Sequence, residues 1–151
     1  MNTDETPAVR GATPADAAAI ESLLARSGLP TSDLGTARPQ FIVATHDGRI
    51  IGTGALQRFG SAALLRSVAV EPERRGSGVG RELVAQLEER ARAAGIAQLI
   101  LLTMTARPIF ERLGYQSMAR EQVPAAVLAS AEFRSLCPAT ATCMAKNLLP
   151  G

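Results

Sequence analysis

The chain has 151 residues, enough for one domain that buries most of its unfolded surface without a metal or a disulfide. The formal net charge is only +2 and 3% of the residues are aromatic, so the composition gives no reason to expect a nucleic-acid partner. No apolar run approaches the roughly 20 residues of a membrane span, and the acidic N-terminus lacks the apolar segment of a secretory signal. With two cysteines, we expect a cytoplasmic protein that does not bind membranes.

The first third of the sequence predicts a helix, an irregular segment and a β-hairpin. Thr13 and Pro14 fit the N-cap and the first position of an amphipathic helix, and Gly28 fits its end. The following segment is rich in Pro and Gly, and we interpret it as a loop or a short second helix. Two β-rich runs then flank Asp47–Gly48, a pair typical of tight hairpin turns. The only histidine, His46, lies beside this turn and is expected to be solvated.

The middle of the sequence predicts two buried strands joined by a long helix. The runs SAALLRSVAV and AQLILLT are almost entirely apolar, which is typical of central strands. Between them, residues 78–95 have an apolar stripe at helical spacing, with Glu88 and Arg92 paired on the exposed side. This order favours a parallel, right-handed βαβ unit. The stripe consists of Val79, Leu83, Val84, Leu87 and Ala91.

The C-terminal part predicts two more helices and two more strands. The segment ARPIFERLG is typical of a short helix ending at Gly114, and VPAAVLASAEFRSL of a helix beginning at Pro124. The runs YQSMAR and TATCMAKNLL are predicted strands. The fold class is therefore α/β, with one domain at residues 8–149 and a mobile N-terminus at residues 1–7.

The stretch RRGSGVG, residues 74–80, connects the first central strand to the long helix. A helix N-terminus attracts phosphate groups, because its first N–H groups lack intrahelical acceptors. Gly76, Gly78 and Gly80 leave those groups uncovered, and the two arginines add positive charge. The P-loop is excluded because no lysine follows, and the dinucleotide fingerprint is excluded by the Gly-x-Gly-x-Gly spacing.

The motif Arg75-Gly-Ser-Gly78-Val-Gly80, preceded by SVAVEPERRG, resembles the acyl-CoA-binding signature of the GCN5-related N-acetyltransferase (GNAT) superfamily. The blocks LLT and FERLGY follow in the order of that family, and the resemblance is best over residues 64–115. It implies a single-domain α/β GNAT fold: a central mixed, mostly antiparallel sheet with flanking helices. The fourth and fifth strands are expected to form a parallel, splayed pair.

The resemblance also implies acetyl-CoA as the co-substrate. The glycine turn and the helix N-terminus would bind the pyrophosphate, and the strand before them would carry a bulge. Free backbone groups at Val68 and Val70 would bond the pantetheine arm and the thioester carbonyl. The implied cofactor-binding residues are Val68, Ala69, Val70, Arg75, Gly76, Ser77, Gly78, Val79 and Gly80.

Two further blocks narrow the resemblance. LLTMTARPIFERLGY and the C-terminal tail are similar to amino-acid N-acetyltransferases of the N-acetylglutamate synthase type. The overall layout is similar to arsenic-resistance-associated N-acetyltransferases. This implies direct acetyl transfer to the α-amino group of a small amino-acid-like acceptor, such as a glutamate mimic with an arsenic- or phosphorus-based acid group. A homodimer is one assembly that the resemblance allows.

The proton route is the least defined part of this reaction, because the amine must lose a proton before it attacks. Many family members have a tyrosine where this chain has Phe110, and the synthase-type relatives have an acidic residue where it has Leu64. The candidate catalytic residues are therefore Tyr115, as a general acid, and Thr103, as a holder of a relay water.

Another threonine and one carboxylate near the same strands leave alternatives for the proton route. Thr105 would share the relay water with Thr103. Glu71, just past the first central strand, is either a base or a solvated loop carboxylate.

Arg66 is the leading candidate for substrate binding, because a guanidinium on an apolar strand is costly unless it is paired. It either binds the acid group of the acceptor or pairs with a structural carboxylate, Glu71 or Glu73. Ser67, Thr105 and Arg107 are weaker candidates for the same pocket.

Cys137 and Cys143 are interpreted as structural residues, and no metal site is expected, since their spacing matches no established metal motif. Three alternative functions stay open: acetylation of another small amine or a peptide N-terminus, non-catalytic binding of acyl-CoA, and binding of a metalloid through the cysteines. The combination of Phe110 with Leu64 favours the second.

Overall fold

The computed structural model describes residues 7–136 and 140–148. Seven strands form one sheet in the order β1-β2-β3-β4-β5-β7-β6, and every neighbouring pair is antiparallel except β4 and β5. The strands are β1 Ala8–Gly11, β2 Gln40–His46, β3 Arg49–Phe59, β4 Ala62–Val70, β5 Gln98–Thr103, β6 Gln116–Ser117 and β7 Thr142–Asn147. The predicted mixed, mostly antiparallel α/β class is confirmed.

Five α-helices flank this sheet, and none in the described ranges is long and apolar enough to cross a membrane. They are α1 Ala17–Arg26, α2 Leu34–Ala37, α3 Val79–Ala93, α4 Arg107–Arg112 and α5 Ala125–Leu128. Short 3₁₀ turns occur at Pro14–Asp16, Pro72–Arg74 and Arg120–Gln122, and a π-helical turn at Glu132–Leu136. The expectations for the first six residues and for Cys137 concern positions outside the described residues.

The predicted start of the first helix is confirmed. The Asp16 carboxylate accepts a hydrogen bond of 2.7 Å from the backbone N–H of Thr13 and pairs with Arg10 at 2.8 Å. This arrangement satisfies an N-terminal donor at the 3₁₀ turn that leads into α1. Strand β1 was not predicted, because four residues at the sheet edge carry too short a pattern to recognise.

The largest apolar cluster lies between the sheet and α3, and it contains the whole predicted stripe of α3. Two glycines of β3 allow this helix to approach closely. A Cβ on Gly52 would lie 2.9 Å from Leu83 Cδ1, and a Cβ on Gly54 would lie 2.8 Å from Leu87 Cδ1. Two smaller apolar clusters cover the opposite face of the sheet, one around α1 and one around α5.

Strand β4 contains a bulge in its second half. Thr53 of β3 pairs with Ala69 and Ala55 pairs with Arg66, so Gly54 alone faces both Ser67 and Val68. Ser67 has a φ of +59°, the left-handed backbone that lets a bulge residue leave the regular ladder. The predicted bulge is therefore present.

The extra residue reverses the inside-outside alternation of β4. Before the bulge, Leu65 belongs to the α3 cluster; after it, Val68 and Val70 do. Arg66 and Ala69 consequently point to the opposite face of the sheet. Odd-numbered residues of β4 therefore face α3 before the bulge, and even-numbered residues face it after the bulge.

The parallel pairing of β4 with β5 is short. It joins residues 62–64 with residues 98–100, and the described strands show no pairing beyond those positions. A gap therefore opens between the carboxyl ends of the two strands, as the predicted splay requires. The bulge and the turn at residues 74–80 lie at this end of β4.

The C-terminal region differs from its prediction in two places. The helix expected from Pro124 stops after one turn, because the Ser130 hydroxyl donates to the Val127 carbonyl at 2.6 Å, a local bond that competes with helix continuation. The chain resumes as the π-helical turn. The strand expected for YQSMAR pairs regularly over Gln116–Ser117 only.

Glu88 corrects another prediction, since it lies in the core and not on the exposed side of α3. It is 7% exposed and accepts hydrogen bonds from the Tyr115 hydroxyl at 2.8 Å and from Lys146 Nζ at 3.0 Å. The predicted i, i+4 ion pair with Arg92 is present, at 3.8 Å. Glu88 thereby connects α3 to β7 and to the chain before β6.

We predict that Glu88→Gln lowers the free energy of unfolding by about 1.5 to 3 kcal/mol, the usual range for hydrogen bonds to a charged group. The matched control is Glu89→Gln, at the exposed neighbouring position, which should change stability by less than about 0.5 kcal/mol. Urea denaturation measures both. Equal stabilities for the two variants would contradict the structural role of Glu88.

Candidate active site

The turn between β4 and α3 presents backbone donors beside the gap. Gly76 and Gly78 have φ angles of +84° and +93°, which side chains rarely tolerate. The first backbone bond into α3 runs from Glu82 N to Gly78 O at 3.0 Å. The N–H groups of Val79 and Gly80 precede that bond and lack intrahelical acceptors. This end of a helix of 15 residues can bind an anion.

The side chains around this turn divide between the core and the solvent. Val79 is buried under the sheet, and Ala69 is buried on the face that contacts α1. Ser77 is exposed, and its hydroxyl donates to the Arg74 carbonyl. At Gly80 a Cβ would make only ordinary contact with Val70 Cγ2, at 3.6 Å. The backbone therefore does not require glycine here, but its lack of a side chain leaves the first turn of α3 uncovered.

The two arginines of the turn have different surroundings. Arg75 Nε donates to the Val70 carbonyl at 3.2 Å, beside the end of β4. Arg74 leans toward the β2–β3 turn, with Nη2 lying 3.1 Å from His46 Nδ1. His46 is therefore partly buried against Arg74, with 22% of its side chain exposed, and not solvated as expected.

Arg66 is at the centre of a buried polar cluster on the face of the sheet opposite α3. Its Nη1 and Nη2 donate to the two oxygens of Asp33 at 2.6 and 2.7 Å, and Nη1 also donates to Gln57 at 2.9 Å. Its Nε lies 3.5 Å from Glu132 Oε1 and 3.4 Å from Ser67 Oγ. The Arg66 side chain is fully buried.

This geometry corrects the expectation for Arg66. The bidentate bond to Asp33 occupies the two nitrogens that an acceptor carboxylate would need, so Arg66 is paired with structural carboxylates. The partners are not the expected ones. Glu71 pairs with Arg26 at 2.8 Å, and Glu73 lies 3.7 Å from Arg49.

Opposite environments give the two carboxyls of this cluster opposite pKa shifts. The hydrogen bonds from Arg66 lower the pKa of Asp33, although burial opposes the effect. Burial raises the pKa of Glu132 to about 7; the charge of Arg66 opposes this rise and that of Asp33 adds to it. Glu132 thus titrates near neutral pH.

Sequence reasoning did not identify Asp33 or Glu132. Asp33 lies in the Pro- and Gly-rich segment, and Glu132 lies in what reads as an ordinary amphipathic helix. The available signal was Arg66 itself, because a guanidinium on a buried strand needs a carboxylate from some other part of the chain. Nothing in the sequence spacing says which carboxylate supplies it.

Glu71 is neither a solvated loop carboxylate nor a suitable base, the two roles expected for it. It is only 4% exposed and forms a bidentate ion pair with Arg26, at the end of α1. Those bonds lower its pKa, so it is a poor proton acceptor at neutral pH. Glu71 instead ties α1 to the end of β4.

Tyr115 lies in the α3 cluster, 2% exposed. Its hydroxyl already donates to Glu88, and Lys146 Nζ lies 5.5 Å from the ring centroid. Burial and the charge of Glu88 raise its pKa far above the usual value. This position does not support the expected role as general acid. Phe110, at the usual tyrosine position, packs edge-on against the Tyr115 ring at 5.5 Å.

The remaining candidates lie at the end of β5 and the start of α4. The Thr103 hydroxyl accepts the Ala106 N–H at 3.0 Å and so shapes the turn into α4. Thr105 and Arg107 are exposed, and Arg107 lies 3.7 Å from Glu111 of its own helix. These residues follow β5 at the end where it diverges from β4.

Cys143 is buried, and burial raises the pKa of its thiol, which disfavours the thiolate that would bind a soft ion. Within the described residues, no group of three His, Cys, Asp or Glu side chains is arranged to hold a metal ion.

Two surface pockets lie away from the turn and the bulge. One, of about 290 Å³, lies between α1, α2 and Phe41. The other, of about 360 Å³, is bordered by Arg38, Arg58 and Arg90. Neither includes a predicted site residue.

Comparisons with known proteins identify the family of this chain. The family model described as "Acetyltransferase (GNAT) domain" matches residues 37–117, more than half of the chain. The amino-acid acetyltransferase of Pseudomonas paraeruginosa is 38% identical over 89 residues, which cover 58% of this chain and 21% of that protein. The chain thus matches about a fifth of the length of this curated relative.

Solved structures give the same fold. N-acetylglutamate synthase from Neisseria gonorrhoeae, complexed with coenzyme A and N-acetyl-glutamate, superposes with a TM-score of 0.83 at 22% identity, over 97% of this chain and 36% of that one. Rv2747 from Mycobacterium tuberculosis, in complex with CoA, superposes with a TM-score of 0.80 at 28% identity, over 95% of this chain and 100% of that one.

The family match confirms the predicted enzyme class and acetyl-CoA as its co-substrate. The matched residues include β2 to β5, the bulge of β4 and the glycine turn before α3. The chain belongs to the acetyltransferase (GNAT) domain family.

Proposed function

We propose that the protein transfers the acetyl group of acetyl-CoA to the α-amino group of a small amino-acid-like acceptor by direct attack. The observation that carries the proposal is the combination of the β4 bulge with the glycine turn, at the open end of the β4–β5 pair. The similarity to amino-acid acetyltransferases supports the acceptor class.

The turn before α3 and the end of β4 suit two different parts of acetyl-CoA. The N–H groups of Val79 and Gly80, together with Arg75, would hold the pyrophosphate at the start of α3. Backbone groups of Val68 and Val70 would bond the pantetheine arm, because the bulge takes Val68 out of the regular ladder with β3 and β4 has no pairing with β5 beyond residue 64. Acetyl-CoA supplies a thioester, whose carbonyl carbon is the electrophile. Thr105 and Arg107 remain candidates for contact with the acceptor.

Within the acceptor class, we propose a glutamate mimic carrying an arsenic- or phosphorus-based acid group, as in arsenic resistance. The N-acetyl-glutamate in the similar Neisseria gonorrhoeae enzyme supports an acidic amino acid. Since Asp33 occupies Arg66, the acid group of the acceptor needs another cation, and the exposed Arg107 at the start of α4 is the candidate.

A second candidate is an acceptor with an additional positive charge, such as a polyamine or a peptide N-terminus. Asp33 and Glu132 place two buried carboxylates around one guanidinium, an excess of negative charge that the sequence did not indicate. A cationic acceptor would be attracted by that excess.

An assay of thiol release from acetyl-CoA against a panel of amines distinguishes these acceptors. The panel contains glutamate, phosphinothricin and its arsenic analogue, neutral amino acids, polyamines and a short peptide. N-acetylglutamate, whose nitrogen is already acylated, is the matched negative control. We expect turnover on acidic amino acids, with mass spectrometry locating the acetyl group on the α-nitrogen. Turnover on polyamines alone would contradict the proposed acceptor.

We predict that Tyr115→Phe keeps kcat within about twofold of the wild type, because its hydroxyl bonds Glu88 in the core. Loss of a general acid would instead lower kcat by about 100- to 10,000-fold. The assay is run well below the unfolding temperature, so that the lost hydrogen bond does not affect the result. A decrease in that larger range would restore Tyr115 as the catalytic acid.

A further inference from the structure

We propose that Glu132 is the base that accepts the proton of the acceptor's ammonium group, and that Arg66 and Asp33 position it. This inference rests on the proposed function and concerns the proton route of the same site.

The argument begins with the unequal sharing of Arg66. Asp33 takes both Nη atoms in short, bidentate bonds, whereas Glu132 has only Nε, at 3.5 Å. That distance is longer than a charge-assisted hydrogen bond. Asp33 therefore neutralises most of the guanidinium charge, and the carboxylate of Glu132 keeps an incompletely matched negative charge. Such a group attracts a cation or a proton.

The position of Glu132 relative to the bulge is the second step. Ser67 is the bulge residue, and its hydroxyl and the Glu132 carboxyl meet at the same nitrogen of Arg66. The Glu132 carboxyl therefore lies near the hydroxyl of the bulge residue, whose peptide with Val68 is where the thioester carbonyl is proposed to bind. The Glu132 carboxyl is on the face of the sheet opposite α3. An amine bound between this carboxyl and the thioester would have the base on one side and the electrophilic carbonyl carbon on the other.

The titration of Glu132 suits this role. A base works best when its pKa lies near the working pH, and burial raises the pKa of Glu132 to about 7. The charged groups that face it are Arg66 from β4 and Asp33 at the start of α2, and their effects on its pKa oppose each other. The ion-paired Asp33 and Glu71 have lowered pKa values and are weaker bases.

The other candidates for the proton route are weaker on geometry. Phe110 has no exchangeable proton, Tyr115 faces the core, and Glu71 is paired with Arg26. The Thr103 hydroxyl is engaged with the Ala106 N–H. Glu132 is the described carboxyl that is buried beside the bulge and lacks a short ion pair.

The proposed step balances in protons and electrons. One proton passes from the ammonium nitrogen to a Glu132 oxygen, and the freed lone pair attacks the thioester carbonyl carbon. The C–N bond forms, the C–S bond breaks, and the sulfur leaves with the electron pair of that bond. The second nitrogen proton goes to the departing sulfur, which yields the amide and the free thiol. Glu132 then releases its proton to solvent.

The test compares kcat/KM as a function of pH for the wild type, Glu132→Gln and Glu132→Asp. In the wild type, kcat/KM should rise with pH through about 7, because the base must be deprotonated, and then level off. Glu132→Gln should lose about 100-fold or more near neutral pH and lack this rise. Its rate should instead increase steadily toward the pKa of the amine itself.

Glu132→Asp retains a carboxyl and should keep the rise at a lower rate, which separates catalysis from a merely structural role. It also carries the test if Glu132→Gln fails to fold. The exposed Glu121→Gln is the matched control and should behave as the wild type. Acetyl-CoA affinity should stay within about twofold in all variants, because Glu132 does not lie at the pyrophosphate turn.

A Glu132→Gln enzyme with the wild-type rate and pH profile would overturn the inference and leave the proposed function intact. A Glu132→Asp enzyme whose kcat/KM does not rise with pH through about 7 would have the same consequence. Absence of wild-type turnover on every amine of the panel would overturn the proposed function, and the inference with it.

Discussion

The backbone groups that β4 offers to a ligand depend on the extra residue that this strand carries at Ser67. Without it, the alternation of the strand would continue unchanged, and Val68 and Val70 would face away from α3. The bulge also interrupts the ladder with β3 where β4 has already lost its pairing with β5. Unpaired backbone groups thus occur at the open end of two diverging strands, next to the N-terminus of a long helix. That combination suits an extended ligand with a phosphate at one end.

The second organising element is the ion pair of Arg66 with Asp33. A fully buried guanidinium is unfavourable without paired carboxylates, so the chain just before α2 must stay next to β4 in order to supply Asp33. Because Asp33 takes both Nη atoms of Arg66, Glu132 is left with the longer contact to Nε. The ion pair that stabilises Arg66 therefore leaves one buried carboxyl, Glu132, with only a long contact to the guanidinium, and this carboxyl lies on the face of the sheet opposite α3. Arg66 and Asp33 thus stabilise the fold and also set the environment of Glu132.

The sequence predicted most of the scaffold, because hydrophobic periodicity and turn residues report local structure. The α3 stripe, the Asp47–Gly48 turn and the glycine turn before α3 were all readable. The long-range polar partners were not, since no local pattern joins Asp33 to Arg66 or Glu88 to Tyr115. Glu88 looked exposed because its helical position borders the stripe, and its burial results from Lys146 and Tyr115, which reach it across the fold.

The central claim is that the turn before α3 holds the pyrophosphate of acetyl-CoA. Isothermal titration calorimetry of Gly78→Asp against Gly78→Asn tests it directly. Asn and Asp enter the left-handed backbone region more readily than other side chains, so the two variants carry a similar strain and differ mainly in charge; no other group lies within 4 Å of a Cβ at that position. The account predicts at least about tenfold weaker acetyl-CoA binding for Gly78→Asp than for Gly78→Asn, because a carboxylate there repels the pyrophosphate. Equal affinities in the two variants would contradict it.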